Sequence, residues 1–273
     1  MRLLLTHGEA SNERLERGLR PHGIETTTFG TTGRAYTLDE DVDADAGLVY
    51  PSRLVEGGVV DALGDLVWVV DATDVLTTRN KARTVALLDD AGVPVPDTRL
   101  LSSPVGDDAV RAAFDAVGAP AVVKPNSASS GRGATLVHDA DSAAGVADLF
   151  GVVHESSLVR DRTFVVQEYV KGARDYRVMV VGGESVGVVE RCADGWKKNV
   201  HAGAEPRRAE PPGCVVSVAE EAARALGVGF CGVDVLYGGS ATVNEVNARP
   251  TVDDDRYDDG FYARLARLVE NVV

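Results

Sequence analysis

Positive charge is scarce in this 273-residue chain: 28 Lys and Arg stand against 42 Asp and Glu, a formal net charge of −14. That balance excludes a general grip on a nucleic-acid backbone, which needs a broad basic face. Cysteine is scarcer still. Cys192, Cys214 and Cys231 form no CxxC pair, and an odd number in a chain that opens without a secretory signal points to reduced, structural thiols in the cytoplasm. Long apolar runs are absent too. The opening Leu3-Leu4-Leu5 run ends at His7-Gly8, far short of a membrane span, so neither insertion nor a membrane partner is expected. There is no internal repeat, no low-complexity linker and no block of like charge of the kind that marks a disordered tail. Two nucleotide fingerprints are missing as well. No GxGxxG follows the first apolar segment and no GxxxxGK[ST] occurs, which excludes a dinucleotide site of the usual kind and a Walker A loop.

What remains is a globular composition, 44% hydrophobic and 26% charged. Asp exceeds Glu by 26 to 16 and Arg exceeds Lys by 23 to 5, a bias that resembles halophilic proteins kept soluble in salty cytoplasm. At 28.7 kDa the chain exceeds one average domain but must divide into two or three small lobes that share one working unit.

The opening alternates strand-like and helix-like pieces: Leu3 to Thr6, a helical stretch at Asn12 to Leu19, Gly47 to Tyr50, and Leu66 to Val70. This is the rhythm of a small Rossmann-like α/β lobe. A helix is predicted from Thr77 to Leu88, capped by Thr77 or Thr78 and ended by Gly92 before Pro94 and Pro96, and a new lobe begins there. A helix at Asp107 to Val117 leads to the strand Ala121 to Lys124 and a small-residue loop, Ser127 to Gly133. The strand Phe164 to Tyr169 follows. Two hairpins come next, Tyr176 to Val181 with Ser185 to Arg191, and Gly232 to Tyr237 with Thr242 to Asn247, separated by a helix at Ser217 to Leu226.

The hairpins carry the first chemistry. If Tyr237 pairs with Thr242, Asp234 faces Glu245 and the two-residue period puts Asn247 on the same face. Two facing carboxylates need a proton or a cation, and hard oxygen ligands beside phosphates suit Mg²⁺; a solvated hairpin face is the alternative. The loop after Lys124 lets backbone N–H groups approach phosphate oxygens, although such a loop is also an ordinary turn. A three-residue turn through Gly182-Gly183-Glu184 would set Asp175 against Arg191 with Arg177 on the same face, whereas a two-residue turn would break the group. That cluster either holds ribose and polyphosphate or is a cross-strand ion pair.

Taken in order, the motifs between Asp74 and Pro250 resemble the ATP-grasp superfamily, and within it the RimK-type ligases that attach glutamate or related amino acids to a carboxylate. The resemblance rests on Asn80-Lys81-Ala82-Arg83 before Ala91-Gly92-Val93-Pro94-Val95-Pro96, Val123-Lys124-Pro125 with Ser130-Gly131-Arg132-Gly133, and Gln167-Glu168-Tyr169-Val170. It continues through Asp175-Tyr176-Arg177-Val178, Asn199, Gly232-Val233-Asp234 and Glu245-Val246-Asn247.

The resemblance implies an α/β and α+β architecture of three lobes, 1–76, 77–168 and 169–273, with ATP between the second and third. Lys81 and Lys124 would neutralise phosphates, Ser130, Gly131, Arg132 and Gly133 would close over them, and Gln167, Glu168, Tyr169 and Val170 would present backbone to adenine. Asp175 and Arg177 would sit near ribose and phosphate, and Arg191 would act with Lys124 on the transferring phosphoryl group. Asp234, Glu245 and Asn247 would carry Mg²⁺, with Mn²⁺ as an alternative ion. The implied activity is an ADP-forming ligase that joins a small-molecule, peptide or protein carboxylate to an amino acid through an acyl phosphate, in a homo-oligomer. Ligases that act on a carrier protein and non-catalytic nucleotide modules share the pattern.

Departures from the family pattern bear on substrate. Asn80 stands where an acidic residue is usual, and Ala248-Arg249-Pro250-Thr251 replaces a small-residue and glycine ending. Arg53, Asn199 and Arg249 are the candidates for holding substrate. The histidines, with no Ser or Cys at a telling spacing, are expected to be structural.

Overall fold

The computed structural model describes residues 1–30, 35, 37–156, 161–198 and 203–273. Asn199 and His201 lie outside them.

Four short parallel strands form the first sheet: β1 (Arg2–Leu4), β2 (Glu25–Thr27), β3 (Ala46–Val49) and β4 (Val67–Val70), ordered β2-β1-β3-β4. The helices α1 (Glu9–Leu19) and α2 (Leu54–Gly64) supply its crossovers. Parallel strands covered on both faces explain why β3 is buried at every position.

The predicted helix from Thr77 to Leu88 is two helices, α3 (Ala72–Arg79) and α4 (Lys81–Asp90). Asp71, not Thr77 or Thr78, starts the first: its side chain accepts from the Asp74 amide at 2.9 Å while Asp74 accepts from the Asp71 amide at 3.1 Å, a reciprocal capping box. Asn80 is extended and caps the second by accepting from the Arg83 amide at 3.0 Å. Thr77 and Thr78 are buried inside α3. A lobe boundary at 76/77 therefore falls within a helix, and one at 168/169 falls at a strand end.

The second sheet is antiparallel, β5 (Thr98–Ser102), β8 (Thr163–Glu168), β6 (Ala121–Pro125) and β7 (Thr135–Val137) in that order. It is covered by α5 (Asp107–Val117) and α6 (Ala140–Ser156). The buried positions of α5, Val110, Ala113, Phe114 and Val117, follow helical spacing.

The third sheet runs β11 (Glu205–Arg208), β10 (Glu184–Cys192), β9 (Arg174–Val181), β12 (Phe230–Tyr237) and β13 (Ala241–Asn247). It packs on α7 (Gly213–Leu226) and α8 (Phe261–Glu270). First and third sheets share one continuous apolar core, from Leu3 and Leu48 through Val178 and Phe230 to Leu265. The second sheet has a separate core built on Phe114, Phe150 and Phe164.

Both hairpins depart from their expected registers, and both return to them. The first turns through Gly182-Gly183 alone, with Val181 opposite Glu184. A bulge at Val186 then restores the count, so that Glu190 faces Tyr176 and Arg191 reaches Asp175 after all. The second turns one residue tighter than expected, Tyr237 opposite Ala241, and the extra residue Asn244 brings Asp234 back opposite Glu245.

The first bulge is held from outside: Val186 accepts from the Asp258 amide at 2.7 Å. Gly187 has φ +153, and a Cβ there would collide with the Arg256 carbonyl and stand 2.9 Å from Tyr257 Cα. Gly187→Ala should therefore lower stability by about 1–3 kcal/mol through overpacking, read as a lower midpoint in urea with an unchanged slope.

Candidate nucleotide site

A cavity of about 120 Å³ lies between the second and third sheets. One wall is β6 and β8, through Lys124 and Gln167; the other is the polar face of the third sheet, through Asp175, Arg191, Asp234 and Glu245. Strand alternation places these side chains: on β9 Asp175 faces the cavity while Tyr176 enters the core. The bulge in β13 matters here, because it lets the consecutive residues Asn244 and Glu245 both line the cavity.

Lys124 is buried, with Nζ donating to Gln167 Oε1 at 2.7 Å and to Asn244 Oδ1 at 3.4 Å. Gln167 in turn donates to Thr98 Oγ1 at 2.9 Å, which fixes its amide. Burial pulls the Lys124 ammonium down to about 8 against the attraction of Glu245, and neighbouring Lys81 adds to the depression. Lys81 Nζ donates to the Ala128 carbonyl at 2.6 Å and to Glu245 Oε1 at 3.2 Å.

On the third-sheet wall of the cavity lies an ion-pair network. Asp234 accepts from Arg177 Nε at 2.6 Å and Nη2 at 2.8 Å, and Arg191 Nη1 stands 3.2 Å from Asp234 Oδ2. Arg191 also donates to Asp175 Oδ1 at 2.6 and 3.0 Å. Burial alone would raise the Asp234 carboxyl, but the two guanidiniums together hold it below the usual carboxylate range. Asp175, buried and near Asp234, is pushed up to about 6 despite Arg191.

Of the residues expected here, Lys81, Lys124, Gly131, Arg132, Gln167 to Val170, Asp175, Arg191, Asp234 and Glu245 all line this cavity. Ser130 and Gly133 belong to the same loop without lining it, and Ser130 has φ +62, a strained conformation for a residue with a side chain. Arg177 does not line the cavity; it orients Asp234 from behind. Asn247 opens with Glu245 on an adjoining cavity. Arg53 is largely exposed, pairs with Glu56 at 3.0 Å and lines neither cavity, although its neighbour Ser52 lines the second. Arg249 reaches the second cavity, but its guanidinium donates to Thr6 Oγ1 at 2.9 Å, the Tyr50 carbonyl at 3.1 Å and the Thr6 carbonyl, tying the first sheet to the third.

Two positioning residues escape the sequence reasoning. Asn244 has the pattern of an ordinary strand position. Asn126, buried, accepts from the Ala82 amide at 2.9 Å and donates to Asn80 Oδ1 at 3.0 Å, joining the end of β6 to the start of α4. A polar residue directly after Val123-Lys124-Pro125 was the available signal for it.

The family model described as the RimK-like ATP-grasp domain matches residues 78–261. A probable alpha-L-glutamate ligase of Enterobacter sp. (strain 638) is 34% identical over 188 residues, 67% of this chain and 60% of that protein. A ribosomal protein bS6–L-glutamate ligase of Salmonella paratyphi B is 32% identical over the same shares. The aligned part thus spans about 60% of the length of these relatives. Among solved structures, a Bacillus anthracis D-alanine–D-alanine ligase complexed with ATP is similar in fold, with a TM-score of 0.71 at 18% identity over 100% of this chain and 97% of that one. With the family model covering most of the chain and enclosing every lining residue of the cavity, the protein belongs to the RimK-like ATP-grasp family and has the ATP-grasp fold.

Proposed function

We propose that the protein is an ATP-dependent carboxylate–amine ligase that adds an amino acid, glutamate or one like it, to a carboxylate. One observation carries this reading: buried Lys124, held at a depressed pKa, converges with Lys81 on a cavity whose third-sheet wall bears Arg191, Asp234 and Glu245. Cations desolvated at this cost favour a polyanion. The names of the glutamate-ligase relatives support the amino acid.

The residues fit Mg²⁺, which takes one or two carboxylates and completes its shell with substrate phosphate oxygens. Asp234 and Glu245 face each other across β12 and β13. Among the described residues no cluster of three or more His, Cys, Asp or Glu could hold an ion alone, so the phosphates must contribute. Asp234 and Glu245 would hold the ion, Asn247 standing beside Glu245, and it would neutralise charge on the phosphates.

The protein's groups then divide the work. Lys81 and Lys124 hold phosphate oxygens. Arg191, fixed by two carboxylates, meets the charge that develops as a substrate carboxylate oxygen attacks the γ-phosphorus and ADP leaves. The amine attacks the resulting acyl phosphate at carbon, phosphate departs with the bonding pair, and the amine proton passes to it or to solvent. β8 pairs with β5 as far as Gln167 and with β6 as far as Glu168, whose amide donates to the Asp97 carbonyl at 2.8 Å, so the backbone of Tyr169 and Val170 is what remains for the base, with Leu236 as an apolar floor.

The test is ADP release with MgATP across a panel of amino acids and carboxylate acceptors. ADP that requires both an acid and an amine, and disappears in Glu245→Ala, is the expected result; a wild-type protein that binds no ATP would overturn the reading. Among the described residues no helix is long and apolar enough to cross a membrane.

A further inference from the structure

We infer that α2 and the neighbouring edge of β4 form the surface through which this chain pairs with a second copy of itself, two antiparallel α2 helices meeting across a two-fold axis beside Gly58 and Val59.

The composition of α2 suits burial on more than one side. Its 11 residues, Leu54–Gly64, include only two charges, Glu56 and Asp61. Both are engaged: Glu56 pairs with Arg53 at 3.0 Å, and Asp61 accepts from Trp68 Nε1 at 2.5 Å. The inner side meets the first sheet, with Gly57 and Val60 buried and Leu54 and Leu63 packed against the apolar clusters there. A surface helix would carry polar groups opposite. Here the outer side reads Val55, Gly58, Val59 and Ala62, the three- and four-residue steps of one helix face. Val55 is 84% exposed; Gly58 and Ala62 are exposed and Val59 is half-buried.

An independent feature adjoins this face. β4, the next element in the chain, is the edge of the first sheet and among the described residues pairs with β3 alone. Its sequence, Val67-Trp68-Val69-Val70, has none of the charges or prolines that blunt an edge strand, and Val67 is 48% exposed.

Charge and size identify the occupant. Arg53 and Asp65, both exposed, stand at opposite ends of α2 with opposite sign. Antiparallel pairing sets Val55 against Ala62 of the second copy and brings Arg53 to Asp65 of the second copy, each contact made twice as a two-fold axis requires. It also places each arginine at the negative end of the other helix. A Cβ on Gly58 would meet nothing within 4 Å, so the two backbones can approach there. An anionic membrane or a nucleic acid would instead be repelled by a chain of net charge −14. The helix face alone, about 16 Å long, is too small for a stable dimer, which takes about 800 Å² from each copy. The β4 edge, turned toward its copy by the same axis when that axis stands normal to the sheet, supplies further area. None of these residues lines the nucleotide cavity.

Sedimentation velocity of the full chain, over a concentration series in low and high KCl, tests the inference. The wild type is expected to dimerise, and more tightly in high salt, which screens the repulsion between two acidic copies and leaves the apolar contact. Val55→Glu and Gly58→Leu should each weaken the dimer by about tenfold or more. Neither endangers the fold, because Val55 faces solvent and Gly58 is a helical glycine in open space; Gly58→Leu should raise the urea midpoint of the monomer while it breaks the pair. Arg53→Glu should weaken pairing, and Asp65→Lys added to it should restore it. A wild type that stays monomeric in both salts, or an assembly that Val55→Glu and Gly58→Leu leave intact, overturns the inference.

Discussion

Asp234→Ala should destabilise the protein more than any other substitution around the nucleotide cavity, by about 3–5 kcal/mol. The carboxylate is almost fully buried and neutralises Arg177 and Arg191 together. Removing it strands two guanidiniums, one of them at 6% exposure, with Asp175 left to Arg191 and no more than the field of Glu245 and Asp175 at Arg177. Asp234→Asn keeps the shape but not the charge and should recover only part of the loss. Because the folded-state pKa of Asp234 lies below the unfolded value, its contribution is complete above the ordinary carboxylate pKa and is lost as pH falls through the folded one. Urea midpoints for wild type and both variants at pH 7 and near pH 3 should therefore converge toward acid. Equal midpoints at pH 7 would show that the network does not hold the third sheet's polar face together.

Lys124→Met should act in the opposite sense on stability and strongly on turnover. ADP formation should fall by about 10²–10³-fold, the range for deleting one preorganised charge from a transition state. Yet the unfolding midpoint should stay level or rise, because the fold no longer desolvates an ammonium whose pKa drops from 10.5 to about 8. The worth of that relief is about 1–3 kcal/mol, since a tenfold change in acidity corresponds to roughly 1.4 kcal/mol. The same residue sets a pH dependence. Bound phosphates favour the charged lysine, so nucleotide affinity should fall as pH rises through about 8, with proton uptake on binding in that window. Titrations in buffers of different ionisation enthalpy would measure the uptake, and its absence in Lys124→Met would assign it.

Strand alternation grouped the charged side chains of the third sheet, since Asp175 and Arg177 on one strand share a face, whereas Lys81 and Gln167 to Val170 entered only through the family resemblance. It missed the turn lengths, since a bulge adds a residue without disturbing the polar and apolar pattern on either side. The pairing of Asp234 with Glu245 was legible although both premises about its turn and strand were off by one, and the errors cancelled at Asn244. The break at Asn80 was hidden for a different reason. Apolar residues keep helical spacing across it, and only the side-chain caps of Asp71 and Asn80 reveal two helices. Arg249 could be recognised as unusual from its neighbours, but its engagement with Thr6 and Tyr50 depends on residues more than 190 positions away, which no local pattern encodes.

The division of apolar packing has a mechanical side. The first and third sheets, welded through a common core, form an anvil; the second, closed on its own phenylalanines, is a hammer joined to it by the segments 91–97 and 169–173. Swinging the hammer breaks polar latches such as Asn126 on Ala82 and Lys81 on Ala128 but exposes neither core. On the proposed reading, a nucleotide clasped between the two parts would work as a rivet, and its departure would need rotation of one part against the other rather than local melting.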